Sequence, residues 1–312
     1  MTLVQLEYIV AVDTYRSFVT AAEKCFVTQP TLSMQIQKLE DTLGVKLFDR
    51  SKQPVIPTDI GQQVIEQARV VLAESSKLQE VIAQHKNELA GELKIGVIPT
   101  IAPYLLPKVI MSFTTRFPKV QLQIWEYTTE QIISNLKVGL LDCGLLSTPL
   151  EDKSLQEIPL FYEKFVVYTS PSSKLVDKKS ISAEDIEIEE TWLLNEGHCM
   201  RNQVLNICKK KGSTGTAKSF EYNTGSVETL KRMVDLNAGI TILPELSLAD
   251  LTDKQMSKVR HFNAPVPARE ISLVTHRNFL KRGLISSLKK EILDIVPEEM
   301  LSNSRKTLMD TF

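Results

Sequence analysis

The sequence predicts an α+β fold of several domains: a small helical N-terminal domain, one long helix and a C-terminal α/β region. The chain has 312 residues, which is more than a single hydrophobic core usually organises. Residues 1–57 show short helical patterns separated by tight turns, and residues 58 to about 87 continue one helical pattern without a break. From residue 91 onward, strand-like runs alternate with helical ones, which is typical of a parallel sheet.

The composition indicates an ordinary globular protein, with 43% hydrophobic and 24% charged residues. The N-terminal residues do not form a signal peptide, and no apolar run is long enough to span a bilayer, so we expect a cytoplasmic protein with no membrane partner. In a reducing compartment, four cysteines argue against a structural disulfide framework. The net charge of −1 gives no indication of a nucleic-acid partner.

The first 57 residues contain three helical patterns. Ser17 is a suitable N-cap for the second helix, and Thr28 for the third, where Pro30 is tolerated in the first turn. One face of the third helix is apolar, whereas the other is polar with little charge, which suits contacts with base edges in a DNA major groove. Arg50 and Lys52 would contact phosphates from a following wing. The candidate DNA-binding residues are Thr28, Gln29, Pro30, Thr31, Ser33, Gln35, Lys38, Arg50 and Lys52.

This pattern alone leaves two interpretations open, because a polar helix face is often only a solvated face. Six basic residues against four acidic ones between Arg16 and Thr58 do not decide the question. A longer motif does. It reads Phe18-(x)2-Ala21-Ala22, Thr28-Gln29-Pro30-Thr31-Leu32-Ser33-(x)2-Ile36-(x)2-Leu39-Glu40-(x)2-Leu43-Gly44-(x)2-Leu47-Phe48-Asp49-Arg50 and Thr58-(x)2-Gly61. It closely resembles the winged helix-turn-helix of LysR-type transcriptional regulators.

The resemblance implies DNA binding and a domain layout. The winged helix-turn-helix domain would cover residues 1–57, and a linker and dimerisation helix 58–90. A regulatory domain, 91–300, would consist of two α/β subdomains like those of periplasmic binding proteins. Subdomain I would cover about 91–161 plus 266–300 and subdomain II about 162–265. A polar C-terminal tail, 301–312, would follow, and its composition is also compatible with disorder.

The linker pattern has a narrow apolar stripe that includes Ile60, Val64, Ala68 and Leu78. A long helix of this kind is typical of pairing with a second copy, although packing on its own C-terminal domain is the alternative. Because recognition of two DNA half-sites needs two DNA-binding domains, we favour dimerisation through this helix. A dimer of dimers (a homotetramer) is the expected homo-oligomer.

Two cysteines, Cys199 and Cys208, lie in a segment that reads as the beginning of a helix. Helix N-terminal amides and the neighbouring His198 and Arg201 would favour the reactive thiolate form of Cys199. Cys208 could then capture the oxidised Cys199. In a helix nine residues span about 13.5 Å, whereas a disulfide needs Cα atoms roughly 4.4–6.8 Å apart. Oxidation would therefore have to unwind the segment.

The surrounding motifs resemble one branch of the family, the OxyR hydrogen-peroxide sensors. They are Gly197-His198-Cys199-(x)-Arg201-(x)-Gln203 with Cys208, Ser226-(x)-Glu228-Thr229-Leu230-(x)2-Met233-Val234 and Gly239-Ile240-Thr241-(x)-Leu243-Pro244. The resemblance implies a peroxidatic Cys199, a resolving Cys208 and a reversible disulfide between them. It also implies a peroxide site formed by Thr100, Thr129, Asp142, His198 and Arg201. Without it, helix capping by the threonines and simple packing of His198 remain open.

The same resemblance implies promoter DNA and RNA polymerase as partners, hydrogen peroxide as the signal, thioredoxin or glutaredoxin as the reductant, and an activator of oxidative-stress genes. We expect no enzyme activity, no cofactor and no metal site, since no pair of cysteines or histidines shows ligand spacing. Cys25 and Cys143 are interpreted as packing residues. Lys209, Lys210 and Lys211 would lower the pKa of the Cys208 thiol.

Three alternatives remain at this point. The first is a LysR-type regulator that responds to a small-molecule metabolite and whose cysteines are incidental. The second is a thiol peroxidase, against which the DNA-binding motif argues. The third is a solute-binding protein, suggested by the two subdomains, and here the N-terminal domain and the missing export signal argue against it.

Overall fold

The structure is a computed structural model that describes residues 1–85, 89–208, 224–236, 239–277, 281–304 and 306–311. Its helices are α1 (Leu3–Tyr15), α2 (Phe18–Lys24), α3 (Gln29–Leu43), α4 (Asp59–His85), α5 (Ala102–Arg116), α6 (Thr129–Lys137), α7 (Cys199–Ile207), α8 (Val227–Leu236), α9 (Asp253–Met256) and α10 (Arg282–Ile295). Its strands are β1 (Phe48–Asp49), β2 (Ile56–Pro57), β3 (Gly91–Val97), β4 (Val120–Glu126), β5 (Cys143–Thr148), β6 (Leu155–Thr169), β7 (Ser180–Ile181), β8 (Thr191–Trp192), β9 (Ile240–Pro244), β10 (Val259–Phe262), β11 (Val266–His276) and β12 (Lys306–Leu308). The predicted α+β multidomain fold class is confirmed.

The N-terminal domain is a helical unit with a two-stranded wing. The Ser17 hydroxyl accepts a hydrogen bond from the Thr20 amide at 3.3 Å, so it is the predicted N-cap of α2. The buried side chains Leu32, Ile36 and Leu39 bring the apolar face of α3 into the core of this domain. Strands β1 and β2 pair antiparallel to form the wing. The helical spacing of apolar residues is therefore sufficient to orient α3, with its polar face outward.

Helix α4 runs for 27 residues, a length of about 40 Å. Its first half completes the N-terminal core through Ile65 and Ala68, which are buried. Further along, Leu78 is 69% exposed. Arg69 ties this helix to both neighbours, because it forms an ion pair with Asp13 of α1 at 2.9 Å and donates to the backbone carbonyl of Val138 at 3.1 Å. Among the described residues, no helix is long and apolar enough to cross a membrane.

The C-terminal region is built on a sheet in the order β4-β3-β5-β11-β6-β10-β7. Strand β3 pairs parallel with both β4 and β5, as the alternating sequence pattern predicts. The long strands β6 and β11 run antiparallel to each other and pass from one half of the region into the other. Phe161 of β6 lies in one hydrophobic core, whereas Phe165, four residues on, lies in the second. The crossing strands thus join two packed halves.

The end of the chain is ordered where the structure describes it. Strand β12 pairs parallel with β11, with Lys306 opposite Val266 and Leu308 opposite Ala268. The amide of Met309 donates to the carbonyl of Ala268 at 2.8 Å, and the side chain of Thr311 is 1% exposed. The polar composition of the tail therefore does not correspond to disorder over residues 306–311.

Candidate functional site

Helix α7 carries both candidate redox cysteines, and both thiols are free. Cys199 is the first residue of the helix and Cys208 is its C-cap. The Cys199 side chain is 6% exposed and lies in the core that contains β3 and β5. Cys208 packs against the other core, with Met200 and Val204. A disulfide between them would require both side chains to leave their present surroundings.

A cleft of about 370 Å³ lies beside the beginning of α7. It is lined by residues from both halves of the region: Pro99, Pro103, Tyr104, Glu126, Tyr127, Thr128, Gln131, His198, Gly225, Ser226, Val227 and Glu228. Pro99, Thr128 and His198, which line this cleft, directly precede three predicted site residues in the sequence: Thr100, Thr129 and Cys199. The hydroxyl of Tyr104 in α5 donates to a carboxylate oxygen of Glu228 in α8 at 2.6 Å and so bridges the two halves.

The two predicted threonines do not cap helices. Thr128 caps α6 through the Gln131 amide, and Ile101 occupies the N-cap position of α5. Thr129 is 3% exposed, and its hydroxyl oxygen has no hydrogen-bond partner among the described residues. Such a buried hydroxyl costs about 1–3 kcal/mol unless something pairs with it. Thr129 therefore offers an unused donor and acceptor beside the cleft.

Thr100 is paired with Arg269, a residue that the sequence analysis did not include in the site. The Arg269 guanidinium donates to the Thr100 hydroxyl oxygen at 2.8 Å and to the Thr100 carbonyl at 3.3 Å. It also forms an ion pair with Glu163 at 2.7 Å, and both side chains are fully buried. Since the guanidinium uses the oxygen of the Thr100 hydroxyl as acceptor, the hydroxyl hydrogen remains available for donation. The only signal in the sequence was a charged Arg269-Glu270 pair within a strand-like run.

His198 is buried next to Gly225. A Cβ atom added to Gly225 would lie 2.6 Å from Nε2 of His198, so only glycine leaves room for this imidazole. Burial lowers the pKa of His198, which favours the neutral ring. A neutral ring can offer a hydrogen bond to its surroundings but no charge. Gly225 lay in no recognisable motif, and only the fold reveals its role.

Two further predicted residues make different contacts from those expected. The Arg201 guanidinium donates to the Leu194 carbonyl at 3.0 Å, which fastens the loop before α7. Asp142 accepts from the Lys94 amide at 2.8 Å and pairs with Lys281 at 2.7 Å. Asp142 precedes β5, whereas Thr100 follows the opposite end of the parallel strand β3. This corrects its assignment to the peroxide site: Asp142 fastens the far end of the sheet.

Burial raises the pKa of each of the other three thiols. Burial raises the pKa of Cys143, which is fully buried, and also that of Cys25. Burial raises the pKa of Cys208 to about 11. The cluster predicted to lower it, Lys209 to Lys211, lies outside the described residues. Within the described ranges, no group of three or more His, Cys, Asp or Glu side chains could hold a metal ion.

Thr129→Val tests the unpaired hydroxyl. Because valine is nearly isosteric and has no polar atom, we expect the free energy of unfolding to stay the same or rise by up to about 1 kcal/mol. If the hydroxyl binds peroxide, losing that hydrogen bond should slow Cys199 oxidation about tenfold. Urea unfolding and the rate of thiol loss measure the two effects. Thr129→Ser, which keeps the hydroxyl, should oxidise at close to the original rate, and equal slowing of both variants would contradict this role.

The polar face of α3 is available for a ligand. Thr28, Gln29, Pro30, Lys38, Arg50 and Lys52 are exposed, and Thr31, Ser33 and Gln35 are half-buried. The hydroxyls of Thr28 and Thr31 are 2.8 Å apart, and Gln35 accepts from Gln5 of α1 at 3.2 Å. The Arg50 guanidinium donates to the Ser33 hydroxyl at 3.1 Å, which places the beginning of the wing against α3.

Comparison with known proteins identifies both parts of the chain. The model described as "Bacterial regulatory helix-turn-helix protein, lysR family" matches residues 3–62, and the "LysR substrate binding domain" model matches residues 86–294. The chain belongs to the LysR family of DNA-binding transcriptional regulators.

Its relatives point to one branch of that family. The "Hydrogen peroxide-inducible genes activator" of Haemophilus influenzae is 36% identical over 301 residues, covering 94% of this chain and 99% of the relative. The Escherichia coli "DNA-binding transcriptional dual regulator OxyR" is 36% identical, covering 88% of this chain and 89% of the relative. A solved full-length OxyR variant from Pseudomonas aeruginosa is 35% identical, with a TM-score of 0.76, and the match covers 94% and 98% of the two chains.

Proposed function

We propose that this chain is a cytoplasmic, hydrogen-peroxide-sensing transcriptional regulator switched by a reversible Cys199–Cys208 disulfide. The observation that supports it most is the surroundings of Cys199, a buried thiol at a helix N-terminus in the same core as β3. His198, which precedes Cys199, and Thr128, which precedes the unpaired Thr129, line the same cleft. The Haemophilus influenzae relative is, by its name, an activator of genes that hydrogen peroxide induces.

The chemistry proceeds in two steps. The Cys199 thiolate attacks one oxygen of peroxide, the O–O bond breaks, and hydroxide leaves and takes up a proton to become water. The Cys208 thiol then loses its proton and attacks the sulfur of the Cys199 sulfenic acid. The S–O bond breaks, and the leaving hydroxide takes up a proton to become a second water. In total, two thiols lose two electrons and two protons, and one peroxide becomes two waters. Thr100, Thr129 and neutral His198 orient the peroxide and the leaving hydroxide through hydrogen bonds.

The switch acts through refolding of α7. Its Cα atoms at positions 199 and 208 are about 13.5 Å apart along the helix, roughly twice the greatest separation that a disulfide accepts. Closing this short loop can shift a conformational equilibrium by about 3 kcal/mol, a population change of about 150-fold. In a dimer of dimers joined through α4, where Leu78 is exposed, such a change alters the spacing of the DNA-reading heads. RNA polymerase then responds, and thioredoxin or glutaredoxin restores the thiols.

A thiol titration tests this function against that of a metabolite-responsive regulator. Free thiols are counted before and after a brief pulse of micromolar peroxide on the reduced full-length protein. We expect a loss of two thiols per chain in the original protein and in the Cys25→Ser control, and full recovery with thioredoxin. Unchanged thiols would reject peroxide sensing and favour a small ligand in the cleft between the two halves.

A separate prediction concerns Arg50 at the beginning of the wing and its contribution to DNA binding. Arg50 is 40% exposed at its side chain and is held against α3 by Ser33. If it contacts a phosphate, Arg50→Ala should weaken binding to any duplex by a similar factor and lower the salt slope of binding by about one. Titration of DNA at several salt concentrations measures this. Arg232→Ala, an exposed residue of α8, should leave the slope unchanged.

A further inference from the structure

We propose that the C-terminal segment 306–311 is a strap that the reduced redox helix holds in place and that disulfide formation releases. The inference rests on the proposed function, since it uses the same cysteine pair. Gln203 is the positioning residue that connects the two elements. It lies in α7 four residues after Cys199 and five before Cys208, and its side chain is fully buried.

The Gln203 amide group donates two hydrogen bonds in different directions. One goes to the Ser147 hydroxyl at the end of β5, at 3.0 Å. The other goes to the backbone carbonyl of Met309 in the strap, at 3.3 Å. The Ser147 hydroxyl in turn donates to the Glu270 carbonyl of β11, at 3.1 Å. One side chain of the redox helix thus connects α7 to the sheet and to the strap.

The strap has further contacts on the same surface. It pairs with β11 through residues 306–308, and the Met309 amide donates to Ala268 at 2.8 Å. The Met309 side chain packs against the core that contains Met200, Val204 and Cys208. Thr311 is 1% exposed, and its hydroxyl has no partner among the described residues. The strap therefore lies between β11 and α7, and its contacts with α7 must change when that helix refolds.

Disulfide formation is incompatible with this arrangement. Bringing the Cα atoms at positions 199 and 208 within about 6.8 Å requires the intervening helix to unwind, and Gln203 lies in its middle. The carbonyl of Met309 then loses its donor, and the Met309 side chain loses the part of its core that α7 supplies through Met200 and Val204. Conversely, strap contacts stabilise the reduced helix, so they oppose oxidation.

Hydrogen exchange of the full-length protein tests the proposal. We expect backbone amides of residues 306–311 to exchange at least about tenfold faster after peroxide oxidation, and Cys208→Ser treated in the same way to remain protected. In the reduced state, Gln203→Ala should loosen the same amides, whereas Asn202→Ala, an exposed neighbour, should not.

The thiol–disulfide equilibrium of the protein with glutathione gives a second measurement. A purely structural role of Gln203 would not produce the following pattern of shifts in that equilibrium. Gln203→Ala and a chain ending at residue 304 should each shift the equilibrium toward the disulfide by about tenfold, equivalent to about 30 mV. Combining the two changes should add little to either one. If the disulfide forms while the amides of residues 306–311 stay protected from exchange, the proposed release of the strap is wrong but the proposed function is not affected. A chain that forms no disulfide overturns the proposed function and, with it, redox release.

Discussion

Cys199→Ser is expected to abolish the response to micromolar peroxide, although three cysteines remain. Burial raises the pKa of Cys208 to about 11, so only about one Cys208 in 10⁴ is thiolate at pH 7. Cys143 is fully buried, and burial raises its pKa further still. Since the thiolate is the nucleophile, neither residue can replace Cys199, and burial also raises the pKa of the third remaining thiol, Cys25. Stopped-flow measurement of peroxide consumption should show the rate falling at least about 100-fold.

Cys208→Ser separates the two chemical steps. This variant keeps Cys199, so it should consume peroxide at close to the original rate and accumulate a sulfenic acid that a dimedone probe labels. It should not change its DNA contacts, because no disulfide forces α7 to refold. A Cys199→Ser chain that still consumes peroxide rapidly, or a Cys208→Ser chain that still switches on DNA, would contradict the assignment of roles.

Arg269→Leu is expected to have the largest effect on stability. It removes the ion-pair partner of Glu163, which would remain as an uncompensated buried carboxylate. Removing one partner of a buried ion pair lowers the free energy of unfolding by about 3–5 kcal/mol. It also removes the two donors that hold Thr100. Urea unfolding should therefore show a much lower free energy of unfolding, and any folded fraction should oxidise slowly.

The matched controls distinguish the ion pair from simple loss of charge. Replacing exposed Arg232 by leucine should change the free energy of unfolding by less than about 0.5 kcal/mol. The double variant Glu163→Leu with Arg269→Leu should recover much of the lost stability, because no buried charge is left unpaired. If Arg269→Leu lowers the free energy of unfolding no more than Arg232→Leu does, the buried Glu163–Arg269 ion pair does not stabilise the fold.

The parts of the fold that the sequence predicted well are those set by short-range patterns. Helix α3 follows from its apolar spacing and Pro30, and α7 lies in the segment that reads as the beginning of a helix, with Cys199 as its first residue. Only the last part of strand β6, residues 165–169, has a strand-like apolar pattern, because Gln156, Glu157 and Glu163 interrupt the pattern over 155–164. Helix α10 and strand β12 were not predicted. Those elements depend on partners that are distant in sequence, which a local pattern does not contain.

In the candidate site, too, local sequence patterns indicate some residues, whereas others depend on contacts that are distant in sequence. The cysteines were proposed from a motif and Thr129 from the resemblance to one branch of the family, whereas Arg269 reaches Thr100 across 169 positions of sequence. Nothing local shows that Gly225 lies against His198. Asp142 was assigned to the site by the resemblance, but it precedes β5 and therefore lies at the opposite end of the parallel strands from Thr100. Tertiary contacts therefore decide which of the candidate residues come together.

The central claim is that peroxide joins Cys199 to Cys208, and peptide mass spectrometry tests it most directly. Trypsin cuts after Arg201, so residues 180–201 and 202–209 become separate peptides, each with one cysteine. After a brief exposure to low peroxide and digestion without reductant, we predict a species with the summed mass of the two peptides less two hydrogens, which thioredoxin separates. Both peptides recovered with free thiols, at a peroxide dose that alters DNA binding, would contradict the account.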